Sequence, residues 1–421
     1  MSIRIGAVAD DFTGATDLAN TFMSEGLSCV QVIGQPAEDI DLGDADAVVV
    51  ALKSRTAPVG TAVAESLGAV DWLKARGARQ IISKYCSTFD STKDGNIGPI
   101  ADAMMARLDT DFALVCPAFP GAGRTIYKGQ LFVGDQLLAD SPMKDHPLTP
   151  MRDSDLMRLM GQQSKHDVGL IDLATVRAGA GAITARINAL KQQGFKYGVI
   201  DVVDDSDLDV IGQVAYYHAL VTGGSGIAKG LPAAWRAAGH VSTAKIPSPP
   251  MAQGRTVILA GSCSQATRAQ IANIPADWGT YQVAASDVAG DPKLADEISA
   301  WIDARKDTAP CVIYSSADPS EVAKVQQSLG AAQAGHMIET LMGQVAQHAR
   351  NNGIKRLIVA GGETSGAVVS ALGISALRIG PQIASGVPWC ETLDADRVAV
   401  ALKSGNFGGA DFFADALNML G

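Results

Sequence analysis

The stretch IGAVADDFTGATD, residues 5–17, decides the fold class. A short apolar run ends abruptly at Asp10 and Asp11, and a Gly/Thr/Asp turn leads into a helix-forming segment. The same event recurs at Lys53-Ser54-Arg55, at Lys84 through Thr92 and at Pro117 through Arg124. Buried strands that empty into polar loops are how an open α/β sheet builds a ligand site, outside the carboxyl ends of its strands. The pattern predicts an enzyme with a polar small-molecule site.

Working outward, strands are expected at 3–9, 28–33, 46–52, 79–84 and 111–116, with helices at 15–25, 60–76 and 98–108 between them. These runs are apolar throughout, the mark of strands buried on both faces of a parallel sheet. Residues 125–139, TIYKGQLFVGDQLLA, read as a hairpin turning at Gly134-Asp135, an antiparallel insertion near the site. An extended loop is expected at 141–153. Parallel character returns over 168–172, 173–193 and 197–203, and a helix near 207–220 should end before Gly223-Gly224-Ser225-Gly226. Pro247, Pro249 and Pro250 mark a linker. A second α/β pattern opens at Thr256 with TVILAGS and a helix from about 264, with strands at 310–315, 355–360 and 374–379. The expected architecture is α/β: two mostly parallel-sheet lobes with a ligand cleft between them and a small antiparallel insertion in the first. The domain boundaries fall at 1–245, 246–255 and 256–421.

Composition bounds the function. The chain has 421 residues and 47% hydrophobic residues, enough for two or three cores, but aromatics are only 5%. Ala, Val, Leu and Ile must therefore fill them. Lys and Arg total 34 against 44 Asp and Glu, a net charge of −10, which opposes nucleic acid and anionic membranes. Six scattered Cys without CxxC, and no signal-peptide or membrane-span pattern, lead to the expectation of a reduced, cytoplasmic protein. The six His form no zinc motif. A homodimer is left open.

In the first lobe, Asp10 or Asp11 could orient a substrate hydroxyl, take its proton or touch magnesium. Equally, with Thr13, they could simply cap a helix. Arg55 offers a planar fork suited to a carboxylate, and Arg124 after PGAG offers another anion contact. The segment KYCSTFDSTKDGNIG, 84–98, packs Ser87, Thr88, Asp90 and Asn96 into one loop able to read several hydroxyls. In the second lobe, LIVAGGETSGAVV at 357–369, GSCSQAT at 261–267 and KSGNFGG at 403–409 are small-residue loops whose amides suit phosphates. None is a P-loop or a dinucleotide fingerprint. Glu363 could act through magnesium, orient a water or cap its helix.

Taken in order, ADDFTGATD (9–17), LKSR (52–55), KYCSTFDST (84–92), GNIGP (95–99), PAFPGAGR (117–124), GSCS (261–264), GGETSG (361–366) and KSGNFG (403–408) closely resemble the four-carbon acid sugar kinase family over nearly the whole chain. The resemblance implies a sugar-acid domain followed by a nucleotide domain, and ATP- and Mg2+-dependent phosphorylation of a terminal hydroxyl. KYCSTFDST is most similar to the branch acting on 3-oxo-tetronate. The threonate and erythronate branches tend toward K-x-D-S-T-x-R-G-N. The resemblance implies substrate contacts among Asp11, Arg55, Ser87, Asp90 and Arg124; joined to the loop reading, this makes Asp11 and Asp90 the catalytic candidates and sets Asp10, Arg55, Ser87, Thr88, Asn96 and Arg124 around the substrate. It places ATP on Ser262, Ser264, Gly361, Gly362, Glu363, Thr364 and Gly405. Rival readings are the same chemistry on D-threonate, L-threonate or erythronate, an oxidoreductase, and a non-enzymatic sugar-acid sensor.

Overall fold

Every residue of the first strand, β1 (Ile5–Ala9), is buried, as its unbroken apolar sequence requires. The computed structural model describes residues 3–146, 149–241, 248–284, 287, 293–305, 308–315 and 331–420. The chain divides into two compact units between Ile246 and Pro247. The Pro-rich linker expectation falls partly outside the described residues, at 246 and 247. Residues 248–255 carry neither helix nor strand.

In the first unit, β1 is joined by β2 (Cys29–Ile33), β3 (Ala47–Ala51), β4 (Gln80–Lys84), β5 (Ala113–Cys116), β9 (Val168–Ile171), β10 (Tyr197–Ile200) and β11 (Leu220–Gly223). Their order is β2-β3-β1-β4-β11-β5-β10-β9, and every pairing is parallel. Successive strands leave β1 in opposite directions, which creates a switch point between β1 and β4. Register then sets the site. Ala9 pairs with Ala51 and Lys84, and Gly223 pairs with Lys84 and Cys116, so five strand ends share one level.

Three expectations are corrected here. The hairpin turning at Gly134-Asp135 is present as β7 (Gln130–Val133) and β8 (Gln136–Leu137), but β6 (Arg124–Tyr127) makes it a three-stranded antiparallel meander. Its first turn is Lys128-Gly129, with φ of 54° and 73°, the shape of a type I′ turn without the usual Asn or Asp. Buried Asp201 accepts from the amides of Lys128 (2.8 Å), Gly129 (2.9 Å) and Leu173 (3.0 Å), and so ties the meander to the main sheet. The helix expected to reach 220 stops at Ala215, and Leu220–Gly223 is a central strand. A short apolar run does not by itself distinguish the two. The segment 173–193 is two helices, Leu173–Arg177 and Ala180–Gln192, broken at Gly179 with φ of 101°.

In the second unit the order is β13 (Gly279–Gln282), β14 (Cys311–Tyr314), β12 (Thr256–Ala260), β15 (Arg356–Ala360), β18 (Ala399–Lys403), β17 (Val387–Thr392), β16 (Ala376–Ala384). All pairings are parallel except those of β17, which is antiparallel to both neighbours. Strands β13, β17 and β18 went unread in the sequence. Ala260, Ala360 and Lys403 lie in register, so the three small-residue loops leave the sheet side by side. Trp389 fills the core and donates its Nε1 proton to Ala416 O at 2.8 Å.

Candidate active site

The first-unit site grows from the end of β1. The Asp10 amide donates to Lys84 O (3.0 Å), and its carbonyl accepts from the amides of Ser54 (3.1 Å) and Arg55 (3.2 Å). The loop after β3 is thereby zipped onto the β1 end, which brings Arg55 inward while Lys53 faces solvent. Arg55 donates from Nε to Asp10 Oδ2 (2.8 Å) and from Nη2 to Asp10 Oδ1 (3.0 Å) and Asp11 Oδ1 (2.9 Å). Its Nη1 lies 3.7 Å from Asp90 Oδ2. The fork expected to meet a substrate carboxylate already holds Asp10; Nη1 is its open side. Burial works against the guanidinium charge, but Asp10 and Asp11 outweigh it and raise the Arg55 pKa. Burial pushes Asp10 up against the opposing pull of Arg55.

Asp11 both caps and remains available. It is the N-cap of the helix Phe12–Ser24 and accepts from the Gly14 amide at 3.1 Å. That bond and the Arg55 bond both fall on Oδ1, and Oδ2 takes no hydrogen bond from the described residues. Lys84, 3% exposed, stands against the same turn and donates to Tyr85 O at 2.8 Å. A Cβ on Gly14 would meet Asp11 Oδ1 at 2.3 Å and Lys84 Nζ at 3.0 Å, so a side chain there would displace both groups. Asp17, one turn on, is pushed up by burial, opposed chiefly by the charge of Lys84.

The loop after β4 forms a relay. Thr88 Oγ1 donates to Asp90 Oδ1 at 2.6 Å, and Cys86 Sγ lies 2.9 Å from Thr88 Oγ1. With the Thr88 proton on Asp90, the thiol is the donor. Burial, then the Asp90 charge, push the Cys86 thiol up to about 12, so it is a neutral group and no nucleophile. Ser87 is half-buried on the same loop. Asn96 commits its amide to Ser54 O (2.7 Å) and Ala57 O (2.8 Å), which fixes the Arg55 loop. A small cavity lined by polar Asp10, Arg55, Lys84 and Asp90 and by apolar Val8 and Ile100 adjoins these strand ends.

Arg124 begins the meander. Its Nη1 donates to Ala122 O, and its Nε is buried without a hydrogen-bond partner among the described residues. Its charge reaches Asp17, as do those of Lys84 and Asp11. The turn after β11 seats against these loops. A Cβ on Gly224 would meet Pro117 O at 2.5 Å, and one on Gly226 would meet Ala118 O at 2.2 Å.

In the second unit the three loops interlock. A Cβ on Gly261 would meet Thr364 Oγ1 at 2.2 Å, and one on Gly405 would meet Ser262 Oγ at 2.2 Å. Gly361 has φ of 132° and the same Thr364 hydroxyl 2.8 Å from its Cβ position. Ser264 caps the helix Gln265–Ala272 and donates its hydroxyl to Gly405 O at 2.6 Å. Gln270 Nε2 donates to the carbonyls of Phe407 (3.0 Å), Gly408 (3.1 Å) and Gly409 (3.0 Å). Gly362 and Glu363 are exposed at the start of the helix Gly362–Ala371. The outcome is a cradle of small residues whose amide donors suit polyphosphate.

Residues 5–231 match the family model described as a sugar-binding N-terminal domain, and residues 257–413 match that of a nucleotide-binding C-terminal domain. A Cupriavidus necator protein named 3-oxo-tetronate kinase is 50% identical, over 99% of this chain and 97% of its own. A Burkholderia multivorans protein of the same name is 48% identical, again over 99% and 97%. The chain belongs to the four-carbon acid sugar kinase family. Among solved structures, Haemophilus influenzae protein HI1011 matches with a TM-score of 0.87 and 42% identity, covering 99% of this chain and 100% of that one. A Salmonella typhimurium LT2 structure matches at 0.91, with 42% identity and 98% of both chains.

As a member of this kinase family the chain is an ATP-dependent phosphotransferase, and the sugar-binding and nucleotide-binding family models match its first and second units respectively. The sequence reading missed Lys84, Asp17, Lys403, Thr267 and Gln270. Both lysines were visible as the last residue of an apolar run, but a terminal lysine ordinarily reads as a solvated strand end. The Gly223–Gly226 run was visible too, and its place became clear only once Leu220–Gly223 proved to be a strand.

Proposed function

We propose that this protein transfers the γ-phosphoryl group of ATP to O4 of 3-oxo-tetronate, giving 3-oxo-tetronate 4-phosphate and ADP. The observation that carries this reading is the open Oδ2 of Asp11, in a carboxylate–arginine cluster at strand ends, on a chain that also bears the three-loop phosphate cradle. Asp11 Oδ2 accepts the hydrogen bond of the terminal hydroxyl. As O4 attacks the γ-phosphorus and the bond to ADP breaks, the proton passes to that carboxylate. Asp90 and Arg55 hold the geometry, and Asp10 neutralises Arg55 from below. Arg124, with its buried Nε unpaired, anchors the substrate carboxylate; Arg55 has only Nη1 to add. The amides of Gly362, Glu363 and Thr364 at the helix start, and of Gly405 and Asn406, bind the phosphates.

Among the described residues no cluster of three or more His, Cys, Asp or Glu is arranged to hold a metal ion. Magnesium would arrive on ATP, with most ligands from phosphate and water. Glu363, exposed beside the cradle, is the protein carboxylate placed to join them. The ion offsets phosphate charge when bound.

Cys86 supports the keto substrate. The threonate and erythronate branches tend to carry Asp at the matching position. A carboxylate there would accept from a C3 hydroxyl, whereas a neutral thiol, its proton given to Thr88, puts no anionic acceptor beside a C3 carbonyl. The names of the Cupriavidus and Burkholderia relatives support the same substrate. We place the reaction in the cytoplasm, supported by six free cysteines. Among the described residues no helix is long and apolar enough to cross a membrane. The test is kcat/KM for 3-oxo-tetronate against D-threonate, L-threonate and erythronate. Preference for the oxo acid is expected; preference for a hydroxy acid would keep the chemistry and overturn the substrate.

A further inference from the structure

Lys403 ends β18 and is 1% exposed. It has no carboxylate partner among the described residues. Its ammonium group instead donates to Thr267 Oγ1, Ser404 O and Gly405 O, each at 3.1 Å. The Phe412 ring lies beneath, its centroid 5.8 Å from Nζ. Its backbone carbonyl accepts from the Gly361 amide at 2.9 Å. One residue thus touches all three loops of the cradle: the Gly361 turn through its backbone, the 264–267 turn and the Gly405 turn through its side chain. An unpaired buried cation is costly, and a neutral side chain would serve packing better.

The consequence falls on one peptide. Gly405 O accepts from Ser264 Oγ (2.6 Å), Thr267 Oγ1 (2.9 Å) and Lys403 Nζ (3.1 Å). In a trans peptide the following N–H points opposite to that carbonyl. Three donors that draw Gly405 O into the buried cluster therefore turn the Asn406 N–H outward. Asn406 is exposed, and its amide has no hydrogen-bond partner among the described residues. Behind it sits a positive charge stripped of water.

We infer that Lys403 is a positioning residue for the nucleotide's phosphates: it orients the Gly405–Asn406 peptide as an anion donor and supplies a buried positive charge behind it. This rests on the reading of the second unit as the ATP site. The charge acts on the polyphosphate, so its removal should be felt by ATP and ADP and not by adenosine. A residue that only held the fold would weaken all three alike.

The experiment is competition of Mg–ATP, Mg–ADP and adenosine against a fluorescent ATP analogue on the full-length protein, comparing wild type with Lys403→Met and Lys403→Arg. Lys403→Met is expected to weaken ATP and ADP by about 10- to 100-fold, to leave adenosine within about twofold, and to leave the KM for the sugar acid unchanged; Lys403→Arg should recover part of the loss. Should Lys403→Met fail to fold, Thr267→Val removes one anchor of the same peptide and should show a smaller loss with the same dependence on phosphate. Equal weakening of adenosine and ATP, or undiminished ATP binding in the variants, would overturn the inference alone. A folded wild-type protein that binds no nucleotide would overturn the ATP reading and the inference with it.

Discussion

Asp11→Asn separates the two duties of Asp11. Its Oδ1 serves the fold, accepting from Gly14 N at 3.1 Å and Arg55 Nη2 at 2.9 Å, while Oδ2 serves the reaction. Asparagine keeps an acceptor at Oδ1 and caps helices about as well as aspartate. The fold loses the favourable negative charge at the helix start, roughly 0.3–1 kcal/mol, and a partly exposed ion pair of about 0.2–1 kcal/mol. Together these come to about 2 kcal/mol at most, a melting shift of about 8 °C or less in a unit of this size. The chemistry loses its proton acceptor, a contribution of about 100- to 10,000-fold. The assay pairs kcat at saturating ATP and sugar acid with a thermal melt and nucleotide affinity. The expected variant is folded, binds ATP normally and turns over at least about 100-fold more slowly. Turnover near wild type at saturating substrate would refute the assignment. So would a collapse of the melt that accounts for the lost activity, since the residue would then be only a cap.

Three further outcomes follow from the same geometry. Gly405→Ala would place a Cβ 2.2 Å from Ser262 Oγ and 3.0 Å from Ser264 Oγ; at about 1–3 kcal/mol of overpacking, ATP affinity should fall by about 5- to 150-fold with sugar-acid KM unmoved, as kinetics with each substrate varied would reveal. Gly223→Ala would set a Cβ 2.2 Å from Cys116 O in the neighbouring strand, backbone that cannot swing aside. A melting scan should fall by several degrees, about 2–4 °C per kcal/mol, and the KM for the sugar acid should rise as the adjoining loops shift. Burial pulls the Lys403 pKa down to about 8 from 10.5, so the unfolded chain binds the extra proton between those values. The folding penalty is full below pH 8 and is relieved as pH rises toward 10.5. Urea midpoints at two pH values spanning that range should rise for wild type relative to Lys403→Met; a pH-independent difference would contradict a penalised charge.

Much of the first unit was legible because its strands are buried on both faces, so sequence and structure agree on β1 through β5 within a residue or two at each end. The polar residues after those runs came together because parallel register lines up Ala9, Ala51 and Lys84. Register is a long-range property, and its effects were less readable. Arg55 looked like an open fork, yet the zipper between Asp10 O and the Ser54 and Arg55 amides turns it onto Asp10. Asn96 looked like a hydroxyl reader, but its amide is occupied by the carbonyls of Ser54 and Ala57. Leu220–Gly223 was not read as a strand, the helix being carried to 220, because four apolar-rich residues have no period of their own. In the second unit the loops were readable one at a time. That Lys403 joins them depends on the pairing of β15 with β18, which no local pattern encodes.

The proposed reaction is ATP-dependent phosphorylation of the terminal hydroxyl of 3-oxo-tetronate. The most direct measurement is product analysis after incubation with Mg–ATP, using phosphorus–proton correlation in NMR alongside ADP release. One new phosphate monoester is expected, coupled to the C4 protons and formed one-for-one with ADP. ADP without a phosphorylated acid, or a phosphate on any other carbon, would contradict it.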